Sequence, residues 1–220
     1  MNESDVLDLL ERVGAFRKGH FVFTSGRHGD TYINKDAIYP YTRETSALCK
    51  AMAERFKDDD IEVVIGPAVG AAILSQWVAH HLSLLNGRDV LSVYADKDLP
   101  APRDATRQAG GSGGFILRRG YDRVAAGKNV LVVEDLMTTG GSVKKVITLA
   151  KGAGATVAGV GVVCNRGGVT AKDVGALKLT SLVNVQLDSW EASDCILCER
   201  KIPVNEDVGH GRAFTPNTRK

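Results

Sequence analysis

The chain is predicted to fold as an α/β protein, a central parallel sheet flanked by helices. Three observations predict this. A short continuous apolar run at 130–133 has the composition of a strand buried on both faces, and 61–65 and 157–164 also read as strands. Segments with helical periodicity separate them, and such alternation argues for a parallel sheet. Finally, 220 residues with 44% hydrophobic and 25% charged side chains suit a single domain, or one domain with a small appendage, whose core needs no staples.

The elements follow in order along the sequence. Residues 4–13 read as a short helix with Val6, Leu7, Leu9, Leu10 and Val13 on its apolar side. Residues 20–33 read as a hairpin region, because Phe21, Phe23, Tyr32 and Ile33 flank the polar stretch 25–30. A helix is expected over 42–56, closed by the Asp58-Asp59-Asp60 cluster. The alternation then begins: strand 61–65, turn 66–70, helix 71–85, strand 89–94. Residues 98–114 carry Pro100, Pro102 and four glycines, and read as a long functional loop. A short strand is expected at 115–118, a strand at 130–133 and a helix at 142–150, with Gly152 and Gly154 near its C-cap. Strands at 157–164 and 179–187 complete the pattern.

A formal net charge of +2 gives no argument for nucleic acid or an anionic membrane as the main partner. The N-terminus is acidic and lacks the pattern of a signal peptide, and no apolar run approaches bilayer length. A cytoplasmic protein is expected. Of the four cysteines, Cys49 and Cys164 fall in apolar patterns as core thiols, and a disulfide framework is not expected.

The most informative stretch is Asn129-Val130-Leu131-Val132-Val133-Glu134-Asp135-Leu136-Met137-Thr138-Thr139-Gly140-Gly141-Ser142. An apolar strand runs into two carboxylates, a small hydroxylated Gly-rich turn follows, and a helix begins. Ligands bind beyond the carboxyl ends of strands in open α/β sheets. The turn offers backbone N–H groups and hydroxyls, and the helix start adds partial positive charge, which suits a phosphate. The acids repel phosphate, so they make sense facing sugar hydroxyls or a ligand-bound metal. No Walker-type string and no G-x-G-x-x-G after a strand occur, which argues against a nucleoside triphosphate or dinucleotide.

This string resembles the phosphoribosyl-pyrophosphate signature of the type I phosphoribosyltransferases. Over roughly 6–203 the chain resembles the orotate phosphoribosyltransferases within them. Phe21-Val22-Phe23-Thr24-Ser25-Gly26-Arg27 with Tyr32 is similar to their base-side hood, Gly66-Pro67-Ala68-Val69-Gly70-Ala71 to their pyrophosphate-contacting loop, and Asn165-Arg166-Gly167-Gly168 to their orotate-binding arginine turn. The resemblance implies one phosphoribosyltransferase domain over 1–220, with a core of about 42–187. It further implies a hood from about 1–40 plus C-terminal elements, and a CxxC tail of about 190–220. It implies transfer of a phosphoribosyl group from 5-phosphoribosyl 1-pyrophosphate to orotate. Glu134, Asp135 and Lys97 would be the catalytic residues. Glu134 and Asp135 would meet the ribose hydroxyls, and Leu136, Met137, Thr138, Thr139, Gly140, Gly141, Ser142 and Lys97 would complete the site for the activated sugar. Thr138 and Arg166 would bind orotate, Arg166 by pairing bidentately with its carboxylate. Mg²⁺ would be bound mainly through substrate, with no metal ligand set of the protein's own, and the chain would form a homodimer.

The sequence departs from the family pattern around the pyrophosphate. Asp96 stands where an arginine often precedes the lysine, Thr24 replaces a frequent lysine, and Val69-Gly70 replaces a bulkier, lysine-bearing turn. Residues 98–114 carry only Arg103 and Arg107 as cations. Arg103, Arg107, Arg118 and Arg119 are therefore candidates to restore positive charge. A purine-salvage phosphoribosyltransferase and a non-catalytic sensor of the activated sugar are the rival readings. Arg166 argues against the first, and near-neutral charge without a basic stripe against the second.

Cys195-Ile196-Leu197-Cys198 is half of a zinc site, which His210 or a second subunit could complete. A reduced, inert pair is the alternative, and similar pairs occur in one branch of orotate-enzyme relatives. The other histidines show no ligand spacing.

Overall fold

The computed structural model describes residues 1–23, 25–98 and 114–214. In chain order the elements are α1 (Glu3–Arg12), β1 (Phe16–Val22), β2 (His28–Ile33), α2 (Thr42–Glu54), β3 (Val63–Pro67), α3 (Gly70–Asn86), β4 (Leu91–Lys97), β5 (Phe115–Ile116), α4 (Tyr121–Ala125), β6 (Asn129–Met137), α5 (Gly141–Gly152), β7 (Thr156–Asn165), α6 (Ala171–Val174), β8 (Leu179–Asn184), β9 (Ser189–Trp190), α7 (Ile196–Glu199) and α8 (Gly211–Phe214). The chain divides into two compact units. One comprises Met1–Val6 and Tyr39–Val185, the other Leu7–Ile38 and Gln186–Lys220.

The first unit is a six-stranded sheet of order β5-β4-β3-β6-β7-β8. All its pairs are parallel except β4–β5, where Asp96 lies opposite Ile116 and Lys97 opposite Phe115. The predicted parallel α/β architecture is therefore correct, with an antiparallel ladder at the mouth of the long segment. Its central strands are apolar on both sides because helices cover both faces. Val63, Val64, Ile65, Val130, Leu131 and Val132 are fully buried. Valine and isoleucine suit this position, since their branched Cβ fits a pleated surface covered on both faces.

On one face α5 packs Val143, Val146, Ile147 and Ala150 against Val130, Val132, Val160 and Val162. Those four helix positions recur at three- and four-residue spacing, so a single stripe meets the sheet. The other layer contains α3, which contacts β3, β4 and β6, and α2, which packs beside α3 and against β7. Burying each such aliphatic side chain contributes about 1.5–3 kcal/mol.

The second unit is a three-stranded antiparallel sheet of order β1-β2-β9. The predicted hairpin begins earlier than expected, at Phe16, and a register shift interrupts it between Lys18 and Phe21. The C-terminal tail adds an edge to it: Asn205 N–H donates to the His20 carbonyl (2.7 Å) and His210 N–H to the Val22 carbonyl (2.9 Å).

Candidate functional site

The sequence reading ends the strand at Val133, before the acids. In the structure β6 continues to Met137, because β7 pairs with it as far as Met137 opposite Asn165. Pairing with β3 is confined to Val130–Val132, so the last residues of β6 run past that neighbour at the carboxyl end of the sheet. Glu134 and Asp135 thus belong to the strand, and its pleat sends them to opposite faces. Both are largely buried, at 8% and 7% exposure.

Each acid is fixed locally. Glu134 Oε1 accepts the Asp135 N–H at 3.1 Å. Asp135 Oδ1 accepts the Leu136 N–H at 2.7 Å, and its Oδ2 accepts the Tyr39 hydroxyl at 2.6 Å. Space for the second bond depends on Gly70, the first residue of α3. A Cβ there would stand 2.4 Å from both Asp135 Oδ2 and the Tyr39 hydroxyl oxygen. Charge-assisted bonds of this kind are stronger than neutral ones and hold the carboxylate in one orientation. Tyr39 is the residue that sequence reasoning missed. It lies 96 positions from Asp135, and no local pattern links the two.

After Met137 the chain turns through Thr138, Thr139 and Gly140 into α5. Gly140 has φ +71°, the left-handed region that disfavours a side chain. Its Cβ would also stand 2.7 Å from Val174 Cγ1. The first-turn amides of an α-helix have no carbonyl one turn back to bond. Here these belong to Gly141, Ser142 and Val143. Glu134, Leu136–Gly141, Ser142 and Val143 line a pocket of about 200 Å³. Thr138, Thr139 and Ser142 are exposed, whereas the Met137 side chain is buried in the core and leaves only its main chain for a ligand. The predicted cradle thus assembles from contiguous residues, with Glu134 as its acidic wall.

Arg166 follows β7 and is half-buried. Its N–H donates to the Met137 carbonyl at 2.9 Å, bringing its turn against the start of the cradle. Gly167 permits this approach, since a Cβ there would fall 1.6 Å from the Thr138 carbonyl oxygen. The buried Asn165 side chain brackets the turn, donating to the Val169 carbonyl (2.9 Å) and accepting its N–H (3.2 Å).

Lys97 is exposed at the end of β4. Of the candidate cations beside it, Arg119 pairs with Asp96 and lies over the Tyr94 ring, 5.5 Å from its centroid, and Arg118 pairs with Asp98 at 3.5 Å, so an acid already balances each. Arg103, Arg107 and Thr24 lie outside the described residues. The predicted turn over 66–70 is shorter than expected: Gly66 and Pro67 belong to β3 and Gly70 opens α3, which leaves Ala68 and Val69, joined by a cis peptide, as the turn.

Comparison with known proteins identifies the family. The family described as phosphoribosyl transferase domain matches residues 35–192. Over 204 residues the chain is 35% identical to the orotate phosphoribosyltransferase of Thermoanaerobacter sp. (strain X514), covering 93% of this chain and 96% of that one. It is 34% identical to the orotate phosphoribosyltransferase of Thermotoga maritima over 206 residues, covering 94% and 98%. The crystal structure of the Mycobacterium tuberculosis H37Rv orotate phosphoribosyltransferase superposes with a TM-score of 0.63 at 25% identity, over 83% of this chain and 96% of that one.

Proposed function

This chain belongs to the phosphoribosyltransferase family, and from that premise we propose that it transfers the phosphoribosyl group of 5-phosphoribosyl 1-pyrophosphate to orotate, giving orotidine 5′-monophosphate and pyrophosphate. The observation that carries the reading is the joining of a backbone phosphate cradle at residues 138–142 to buried acids on the same strand. The 5′-phosphate sits on the first-turn amides of α5, where aligned N–H groups and the helix dipole favour an anion. Glu134 and Asp135 take the ribose hydroxyls. As the bond to pyrophosphate loosens, positive charge develops on the ribose ring, and a carboxylate already fixed by Tyr39 stabilises it without reorganising. Arg166 pairs with the orotate carboxylate and Thr138 meets the base, and Lys97 faces the pyrophosphate.

The donor set suits Mg²⁺ carried by the substrate. Hard oxygen donors are available in Glu134 and Asp135, but both already accept hydrogen bonds from the chain. Carried in with the substrate, the ion would neutralise the leaving group, and Glu134 and Asp135 are the residues that would hold it.

The family expectation of a homodimer is retained, with residues 98–114 of one subunit serving the neighbour's site. Mixing two differently disabled variants should then restore activity, and strict failure to complement would contradict it. No helix among the described residues is long and apolar enough to cross a membrane. A cytoplasmic location, without nucleic-acid or membrane partners, completes the reading. Pyrophosphate release with orotate, uracil, adenine, guanine and xanthine in parallel tests it. Release with orotate alone is expected; release only with a purine, or with no base, would overturn it.

A further inference from the structure

Four metal-ligating side chains converge in the second unit, far along the sequence from the cradle. His20 lies on β1, His28 opens β2, Cys195 precedes α7 and Cys198 lies within it. One donor atom from each lies within 4.8 Å of all the others. We propose that His20, His28, Cys195 and Cys198 form a structural zinc site that fastens the C-terminal segment to the β1–β2 hairpin. The inference is independent of the transferase reading.

Three nitrogen–sulfur distances match a tetrahedral ion. With Zn–S of ~2.3 Å and Zn–N of ~2.0–2.1 Å, a nitrogen and a sulfur on the same ion stand ~3.6 Å apart. Here Cys195 Sγ and Cys198 Sγ lie 3.6 and 3.7 Å from His20 Nε2, and Cys198 Sγ lies 3.4 Å from His28 Nδ1. The two ring nitrogens are 2.8 Å apart, a hydrogen-bond distance. Two nitrogens on one zinc stand ~3.3 Å apart, so a shift of ~0.5 Å suffices.

The surroundings also fit. His20 Nδ1 lies 2.7 Å from the Ile202 carbonyl oxygen and donates to it, so the lone pair of Nε2 faces the cluster. Ligating histidines are usually oriented by such a bond from the other ring nitrogen. That one lone pair meets His28 Nδ1, Cys195 Sγ and Cys198 Sγ together, more partners than it can serve. A central cation satisfies all four donors. Its entry releases the two thiol protons to solvent, and His28 carries its ring proton on Nε2 rather than Nδ1.

Two thiolates and two imidazoles select zinc over harder ions, and four protein ligands leave no open position for catalysis. His20, His28 and Cys195 are buried and Cys198 is exposed, so the ion can enter from one side. A small unit with a thin core gains most from such a fastening. His210, the partner suggested by the sequence, instead uses its backbone N–H on Val22.

The test is metal content of the full-length protein by mass spectrometry, with Co²⁺ substitution as a spectroscopic probe. About one zinc per chain is expected. The cobalt form should show thiolate charge transfer and the intense visible bands of a tetrahedral ion. Cys198→Ser should weaken zinc binding by more than ~100-fold, since loss of even an outer partner costs ~10–100-fold. His210→Ala should retain the metal. Should Cys198→Ser fail to fold, the wild-type cobalt spectrum still decides. Absence of zinc and failure to bind it when supplied would overturn the proposal. So would a cobalt spectrum without thiolate bands, or loss of metal in His210→Ala.

Discussion

Replacing Tyr39 by phenylalanine deletes one oxygen and leaves the ring in place. That oxygen donates to Asp135 Oδ2 at 2.6 Å, on an acid that is 93% buried. A hydrogen bond to a charged group contributes about 1.5–3 kcal/mol. If the carboxylate must be aimed at the ribose as positive charge develops, the loss appears in turnover. The expected fall in kcat/KM is about 10- to 100-fold, since each 1.4 kcal/mol is tenfold. Gly70→Ala attacks the same carboxylate sterically, because its Cβ would stand 2.4 Å from Asp135 Oδ2. The two substitutions act through one group, so their effects should be sub-additive in the double variant. The assay is orotate-dependent pyrophosphate release, read beside thermal unfolding to separate positioning from stability. Tyr39→Phe turnover within about twofold of the parent, at unchanged stability, would refute the positioning role.

Three further outcomes follow from particular contacts. Gly140→Ala should lower the unfolding midpoint and weaken binding of the activated sugar, because a left-handed alanine costs about 1–2 kcal/mol and its Cβ would meet Val174 Cγ1 at 2.7 Å; calorimetry and a binding titration check it. Arg166→Gln should raise the KM for orotate by ~10²-fold while leaving affinity for the activated sugar within about threefold, as expected from removing the cation that pairs with the orotate carboxylate. Burial pushes the Cys49 and Cys164 thiols up to about 12, above the usual thiol range. Their thiolate fraction at pH 7.5 is then ~10³-fold below that of a free cysteine, so alkylation should reach them only on unfolding. Mass spectrometry of native protein treated with iodoacetamide reads this directly.

The cradle was legible in the sequence because its residues are contiguous: a strand, two acids, a hydroxylated turn and a helix start appear in reading order. The sheet was legible for a similar reason, since strands buried on both faces leave unbroken apolar runs. The extent of β6 was not. Charges ordinarily end a buried strand, and only pairing with β7 carries it on to Met137. Tyr39 and Gly70 were silent because their role exists only where distant segments meet Asp135. His20 and His28 lacked any ligand spacing along the chain. They converge because β1 and β2 pair as a hairpin, with Val22 opposite His28, while the tail returns beside them.

In the proposed reading the turn at 138–142 grips the 5′-phosphate while Glu134 and Asp135 steady the ribose. A crystal structure with 5-phosphoribosyl 1-pyrophosphate tests it most directly. The phosphate should lie on the amides of Gly141, Ser142 and Val143, with the ribose hydroxyls at the two carboxylates. Density for the sugar elsewhere, or its phosphate away from the start of α5, would contradict the account.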